Sequence, residues 1–343
     1  MSEGGSSLAP LMKRVLFHSG LLALARLARQ RVRGVVLRYH ALTEGRDEVL
    51  YAAPDICLPV DVFRLQMAFV QRAYRVVSLD ELVHALERGA QLPPRALVVT
   101  FDDGYADNYR LGLPVLRALG LPATVYVATG AVDGGPPFWV AAARALALRA
   151  PGDVLAMPGQ TSIPPIPLGP PERREVAAKT LTRALVPLRS DARAKLLSEA
   201  AAAAGVDLDR MLAGTMLTWN QIRELHGAGW TIGAHTVTHA NVALAAPEDA
   251  EADIVGSRDA VAAALGTGVD HFCYPNSGGQ HRYVSPGVIE ILRRHQFRSA
   301  TTSRPGALRP DADRFQLPRL GVSPRLGPVV ELATALERQR LAA

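Results

Sequence analysis

The feature that most constrains this chain is a short apolar run that ends in two acids. Leu97-Val98-Val99-Thr100-Phe101 has the length and β-branched composition of a strand buried on both faces, and it stops at Asp102-Asp103-Gly104. Carboxylates at the end of a buried strand add nothing to a core, because an unpaired buried carboxylate is costly. One of the two could cap the helix that follows. A cap explains one acid and leaves the other.

Far downstream, Trp230-Thr-Ile-Gly-Ala-His235-Thr-Val-Thr-His239 reads as another short strand, this one ending in histidine. The spacing of His235 and His239 predicts one helical turn after the strand, with both imidazoles on one face. Two histidines and a carboxylate are a common ligand set for a catalytic zinc, with a further position left to water. A histidine pair alone is more often core or surface than ligand. A strand-end Asp-Asp combined with a strand-end His-x-x-x-His is far more specific.

Thr100-Phe-Asp-Asp-Gly-Tyr105 together with His235-Thr-Val-Thr-His239 resembles the polysaccharide deacetylase family, the NodB-homology carbohydrate esterases, from about Val35 to Val322. The resemblance implies an α/β fold, a distorted (β/α) barrel of the NodB-homology type. It implies a divalent metal held by Asp103, His235 and His239, and removal of N- or O-acetyl groups from sugars. Zinc suits that set best; cobalt, nickel or manganese could serve. Asp102 is then the general base, with a metal-bound water as nucleophile. His40 closes the strand candidate Val35–Tyr39, where much of the family has a Tyr-His pair; a structural histidine is the competing reading. Tyr274-Pro275-Asn276 corresponds to one groove wall, with the Asn276 N–H as an oxyanion donor.

Two positions depart from the family's pattern. Cys273 stands where an arginine usually orients the catalytic acid, and Arg319 stands at the histidine of the usual Leu-x-His. Arg319 is therefore expected to pair with Asp102, and His40 to serve as the acid. Tyr105 and Trp139 are candidates to line the sugar groove, against the plainer reading of packing. His18, His84, His226, His271, His281 and His295 are expected in helices or loops without a paired acid.

Residues 34–323 are expected to form the barrel, interrupted at 131–215 by a helical insertion, either packed on the barrel or acting as a lid. A C-terminal helix over 324–343 follows. Loops are expected over 41–59 and 151–171, and an uninterrupted helix over Ala106–Leu119. Residues 1–33 hold an apolar pattern interleaved with basic residues, too short in its uncharged run to span a bilayer. They read best as a basic amphipathic helix on an anionic membrane surface. A signal peptide and a plain packing helix are the alternatives. The expected location is the cytoplasm, peripheral at the inner membrane face, with a secreted or periplasmic chain as the alternative.

The 343 residues carry a formal charge of +6, which favours anionic glycans, phosphates or membranes, and no nucleic-acid motif accompanies it. The two cysteines make no disulfide framework. The substrate implied is an N-acetylated glycan or a lipid-linked sugar. The competing class is a non-catalytic glycan-binding or synthase-associated scaffold, supported by the two departures. A third is an amidohydrolase acting on a small non-sugar amide. Oligomeric state is not readable.

Overall fold

In the computed structural model, residues 34–45, 49–90, 92–159, 163–275, 282–309 and 311–342 are described. The helix expected over residues 1–33, and Asn276 with it, lie outside them. The strands are β1 (Val35–Tyr39), β2 (Ala41–Thr43), β3 (Cys57–Pro59), β4 (Arg75–Val76), β5 (Ala96–Phe101) and β6 (Thr124–Val127). Then come β7 (Val154–Leu155), β8 (Ile166–Pro167), β9 (Thr231–Ala234), β10 (His271–Cys273), β11 (Ser299–Thr301) and β12 (Leu320–Gly321).

The main sheet runs β11-β10-β9-β6-β5-β1-β12, with every pairing parallel. β4 pairs the start of β5 and β6 pairs its end. The two outer strands meet through Leu317, whose N–H donates to the Ala300 carbonyl and whose carbonyl accepts from the Thr302 N–H at 2.9 Å. Helices separate most of the strands, and parallel pairing needs such crossovers. The result is a distorted (β/α) barrel, as the motifs implied.

The pleat sorts each strand into two sets. Leu37, Tyr39, Val99 and Phe101 face outward, against Phe63 and Met67 of the Val60–Ala73 helix. Each such side chain, fully buried, is worth about 1.5–3 kcal/mol. Val36, Val98, Tyr126, Cys273 and Leu317 fill the interior. The next inward positions are Arg38 on β1 and His40 just past it, Thr100 on β5 and Asp102 just past it, and Arg319 before β12. One end is plugged by the Leu79–Glu87 helix through Leu79, Leu82 and Val83. A capping box between Ser78 and Glu81 starts that helix. The carboxylates and histidines therefore gather at the other end, where the parallel strands finish.

The insertion holds helices Trp139–Arg149, Arg174–Leu185, Ser190–Ala204 and Leu208–Leu212. Their core, with Leu146, Leu181 and Leu197, is separate from that of the barrel. None of the described helices is long and apolar enough to cross a membrane.

The structure corrects several local expectations. The 41–59 segment contains β2 and β3, paired in parallel, and the 151–171 segment contains the antiparallel β7 and β8. A π-turn, Asn108–Gly112, interrupts the helix that ends at Leu119. His235 to His239 is not a helical turn. Thr236 and His239 take positive φ, 63° and 50°. The carbonyls of Thr236 and Val237 accept from the Thr129 and Gly130 N–H groups, so the loop bonds sideways to the exit of β6. Gly130 is required for this approach, since a Cβ there would sit 2.7 Å from the Val237 oxygen.

Two of the remaining histidines do have acid partners. His295 Nε2 lies 2.5 Å from Glu251. His271 lies on β10, not in a helix or loop; its Nε2 is 3.0 Å from Asp80 and its Nδ1 is 2.9 Å from the Ser299 hydroxyl. This hydrogen bond holds the Asp80 carboxyl at about 2, below its ordinary 3.8. The resulting stabilisation is complete above about pH 4 and is lost as the pH falls toward 2. Asp80 is half exposed, so the effect is below about 1 kcal/mol. Asp80→Asn is expected to flatten stability against pH over that window in urea melts; a slope equal to the wild type's would remove the pair from the acid limb.

Candidate functional site

The site begins where β5 runs out. The Asp102 N–H donates to the Tyr39 carbonyl, so pairing with β1 persists one residue past the strand. The next residue breaks it, because Asp103 has φ of 74° and Gly104 of 85°. A left-handed Asp costs about 1–3 kcal/mol, which its surroundings must offset. The Asp103 carbonyl accepts from the Ala128 N–H, and the Gly104 carbonyl from the Leu217 N–H. This turn sends two adjacent carboxylates in different directions.

Asp102 points into the barrel and meets Arg319. The guanidinium donates to both carboxylate oxygens, at 2.6 and 2.7 Å. Its Nε donates to the Thr302 carbonyl, and further N–H contacts reach the Thr100 hydroxyl and the Cys273 sulfur. Burial alone would push the Asp102 carboxyl up, but the Arg319 charge outweighs it and holds the group at about 2. His40 Nε2 is 3.9 Å from the second Asp102 oxygen. Burial pushes the His40 imidazole down to about 4, against the pull of the two acids.

Asp103 turns toward the histidines. One of its oxygens lies 3.3 Å from His235 Nε2 and 3.2 Å from His239 Nε2. The three ligand atoms lie within 4.8 Å of one another, all on buried residues. His235 Nδ1 is 2.8 Å from the Cys273 carbonyl, which fixes the tautomer that leaves Nε2 free to bind a metal. One carboxylate oxygen and two imidazole nitrogens converging this way fit a zinc-type ion. The other possible set, Asp102, His235 and Cys273, is disfavoured because Arg319 already occupies both Asp102 and Cys273.

The histidine loop is braced from outside the barrel. The Trp139 Nε1–H donates to the His239 carbonyl at 3.1 Å, and Phe138 packs edge-on to the His239 ring. Arg193, from the insertion, stacks 4.2 Å over Trp139 and donates to the Thr238 carbonyl. Asp253 accepts from both the N–H and the hydroxyl of Thr238. On the far side, the Asn108 amide donates to the His40 carbonyl at 2.7 Å. Asp107 accepts from the Leu42 N–H and the Tyr51 hydroxyl.

Asp102, Asp103, His40, His235, His239 and Arg319 thus come together, and Tyr105 lines the same cavity. Two expectations are corrected. Trp139 is only 7 % exposed and holds His239 from behind instead of offering an open sugar platform. Tyr274 is core, with its hydroxyl donated to the Phe315 carbonyl; Pro275 is buried beside it. Arg193, Asn108 and Asp253 carry no motif; among them only Asn108, in the turn after the acids, had a positional signal.

Two substitutions test this arrangement. Trp139→Phe keeps the packing and removes the N–H, so affinity for a divalent ion is expected to fall about 10-fold; unchanged affinity would reduce the brace to filler. Arg319→Met leaves Asp102 buried without its partner and is expected to cost about 3–5 kcal/mol in urea unfolding.

Comparison with known proteins bears on the family and the fold. The family model described as polysaccharide deacetylase matches residues 89–157 and 179–300. The Escherichia coli (strain K12) poly-beta-1,6-N-acetyl-D-glucosamine N-deacetylase is 39 % identical over 61 residues, 18 % of this chain and 9 % of that protein. The Bacillus subtilis (strain 168) protein YxkH is 27 % identical over 93 residues, 27 % of this chain and 30 % of YxkH. The match therefore spans under a third of either relative. Among solved structures, the Streptococcus pyogenes deacetylase PplD in complex with acetate superposes with a TM-score of 0.59 at 18 % identity, covering 90 % of this chain and 99 % of that one. IcaB from Ammonifex degensii gives 0.56 at 20 %, covering 90 % and 98 %. At such identities the superpositions speak for the fold, and the family model for kinship: the chain belongs to the polysaccharide deacetylase family.

Proposed function

We propose that this chain is a metal-dependent hydrolase that removes acetyl groups from an N-acetylated glycan, a glucosamine polymer or a lipid-linked sugar. The observation that carries the reading is the division of labour between two neighbouring acids. Asp102 is charged, clamped by Arg319 and directed into a cavity of about 400 Å³, while Asp103 converges with His235 and His239 in the same cavity. The glucosamine polymer is suggested by the name of the Escherichia coli relative.

Asp103, His235 and His239 would hold a divalent ion, zinc by their donor types, which would polarise the acyl carbonyl and ease deprotonation of water. Asp102 takes a proton from the attacking water as its oxygen bonds to the acyl carbon. Arg319 keeps Asp102 ionised and aimed for this step, at some cost in basicity. The acyl C–N bond then breaks. The proton passes from Asp102 to His40, 3.9 Å away, and on to the leaving nitrogen, giving the free amine and acetic acid, which loses its proton to water to leave acetate. The Asn276 N–H remains a proposed oxyanion donor.

The scaffold alternative drew its support from the missing arginine and histidine. Arg319 supplies the pairing that the arginine would have made, which weakens that support.

Elemental analysis of the purified chain tests the centre. About one divalent ion per chain is expected, lost in Asp103→Asn and His235→Ala. Asp102→Asn should keep the ion and lose about 10²–10⁴-fold in kcat for acetate release from a partially acetylated glucosamine oligomer. No stoichiometric ion after reconstitution with zinc or cobalt would favour the scaffold.

Peripheral attachment to a membrane rests on the basic residues within 1–33. Flotation with anionic vesicles is expected to carry the full chain and not a chain lacking 1–33; equal behaviour would dismiss the attachment.

A further inference from the structure

The catalytic cavity is lined by as many acids as basic side chains, with Arg319 behind Asp102, but they do not pair off one to one. Each carboxylate there already has a counter-charge or a ligand role. Asp55 lies 3.6 Å from Lys179, and Glu175 is paired with Arg144. Asp102 is paired with Arg319, and Asp103 faces the two histidines. Two guanidiniums are left over, Arg38 and Arg183, and neither has a hydrogen bond or ion pair among the described residues. Arg183 is exposed on the Arg174–Leu185 helix of the insertion. Arg38 points inward from β1, two residues before His40, and its Nε is buried without a partner.

A buried guanidinium atom without a partner is unusual and calls for a physical reason. Here the surroundings are shaped around it. Gly321 faces the Arg38 side chain on the paired strand β12, and a Cβ at Gly321 would lie 2.8 Å from Arg38 Nη2. Ser303 lines the same cavity. Arg38 makes no hydrogen bond to Asp102, whose two oxygens accept from Arg319, although the charge of Asp102 attracts it.

We infer that Arg38, with Arg183 at the rim, is an anion-binding subsite: the glycan this enzyme acts on carries a carboxylate, or a phosphate, next to the acetylated sugar. A planar fork of N–H donors suits either group in a two-pronged contact. This rests on the deacetylase reading for its substrate and adds what that reading leaves open, the charge of the glycan.

The test compares zinc-loaded wild type with Arg38→Gln and Arg38→Lys on two tetrasaccharides. One is neutral, built of N-acetylglucosamine; the other alternates N-acetylglucosamine with glucuronate. Wild type is expected to favour the acidic substrate at least about 10-fold in kcat/KM, mostly through KM. Arg38→Gln should bring the ratio near one with the neutral rate unchanged, and Arg38→Lys should restore part of it. A wild-type ratio near one, or an equal loss on both substrates in Arg38→Gln, overturns the proposal. Calorimetric titration with free glucuronate and with inorganic phosphate needs no turnover. Binding of either by wild type, weakened at least about 10-fold in Arg38→Gln, supports the subsite even if no acetate is released, an outcome that would sink the deacetylase reading alone. Equal binding by the two proteins, or none, overturns the subsite. Inhibition by acetate that weakens in Arg38→Gln, without any preference for the acidic substrate, would reassign Arg38 to the product and overturn the substrate claim.

Discussion

The ion pair of Asp102 and Arg319 is the contact on which the barrel interior depends. Two charges carried into that interior are tolerable only when their geometry matches and their remaining groups are bonded. Both conditions hold: the fork meets both carboxylate oxygens, and the guanidinium is further bonded to the Thr302 carbonyl and the Thr100 hydroxyl. With Asp102 fixed in this way, the left-handed turn at Asp103 can aim the second acid elsewhere. One dipeptide thereby supplies the proposed base and the proposed metal ligand from neighbouring positions.

Backbone strain gathers in the same place. Asp103, Thr236 and His239 are all non-glycine residues at positive φ. Such residues persist when their neighbours leave them no alternative. For Thr236 the constraint comes from the exit of β6, and for His239 from Trp139 at the start of the insertion. The insertion is thus part of the site's support, although it adds no ligand to the proposed centre.

The strand-end acids and histidines were legible in the sequence because each is a polar residue closing an apolar run. Arg319 was legible by what it replaces, and its pairing follows from strand order. The conformation of His235–His239 was not, because spacing of four favours a helix and only the distant N–H groups of Thr129 and Gly130 override it. β7 and β8 have two residues each, too few for alternation to register. Trp139 after two prolines looks like an exposed platform. It turns inward, and its N–H donates to the His239 carbonyl. Arg193 is one of many arginines, and only packing against Trp139 distinguishes it.

The closure of the barrel has a consequence for how the chain reaches its working form. Asp102 and Arg319 lie 217 residues apart, and β12 pairs with β1, the first strand of the sheet. A ribosome has made most of the protein before the arginine appears. Until then the acid at the end of β5 must stay wet, so the interior cannot dry out around it. Completing the sheet, neutralising its buried charge and orienting Asp102 therefore go together.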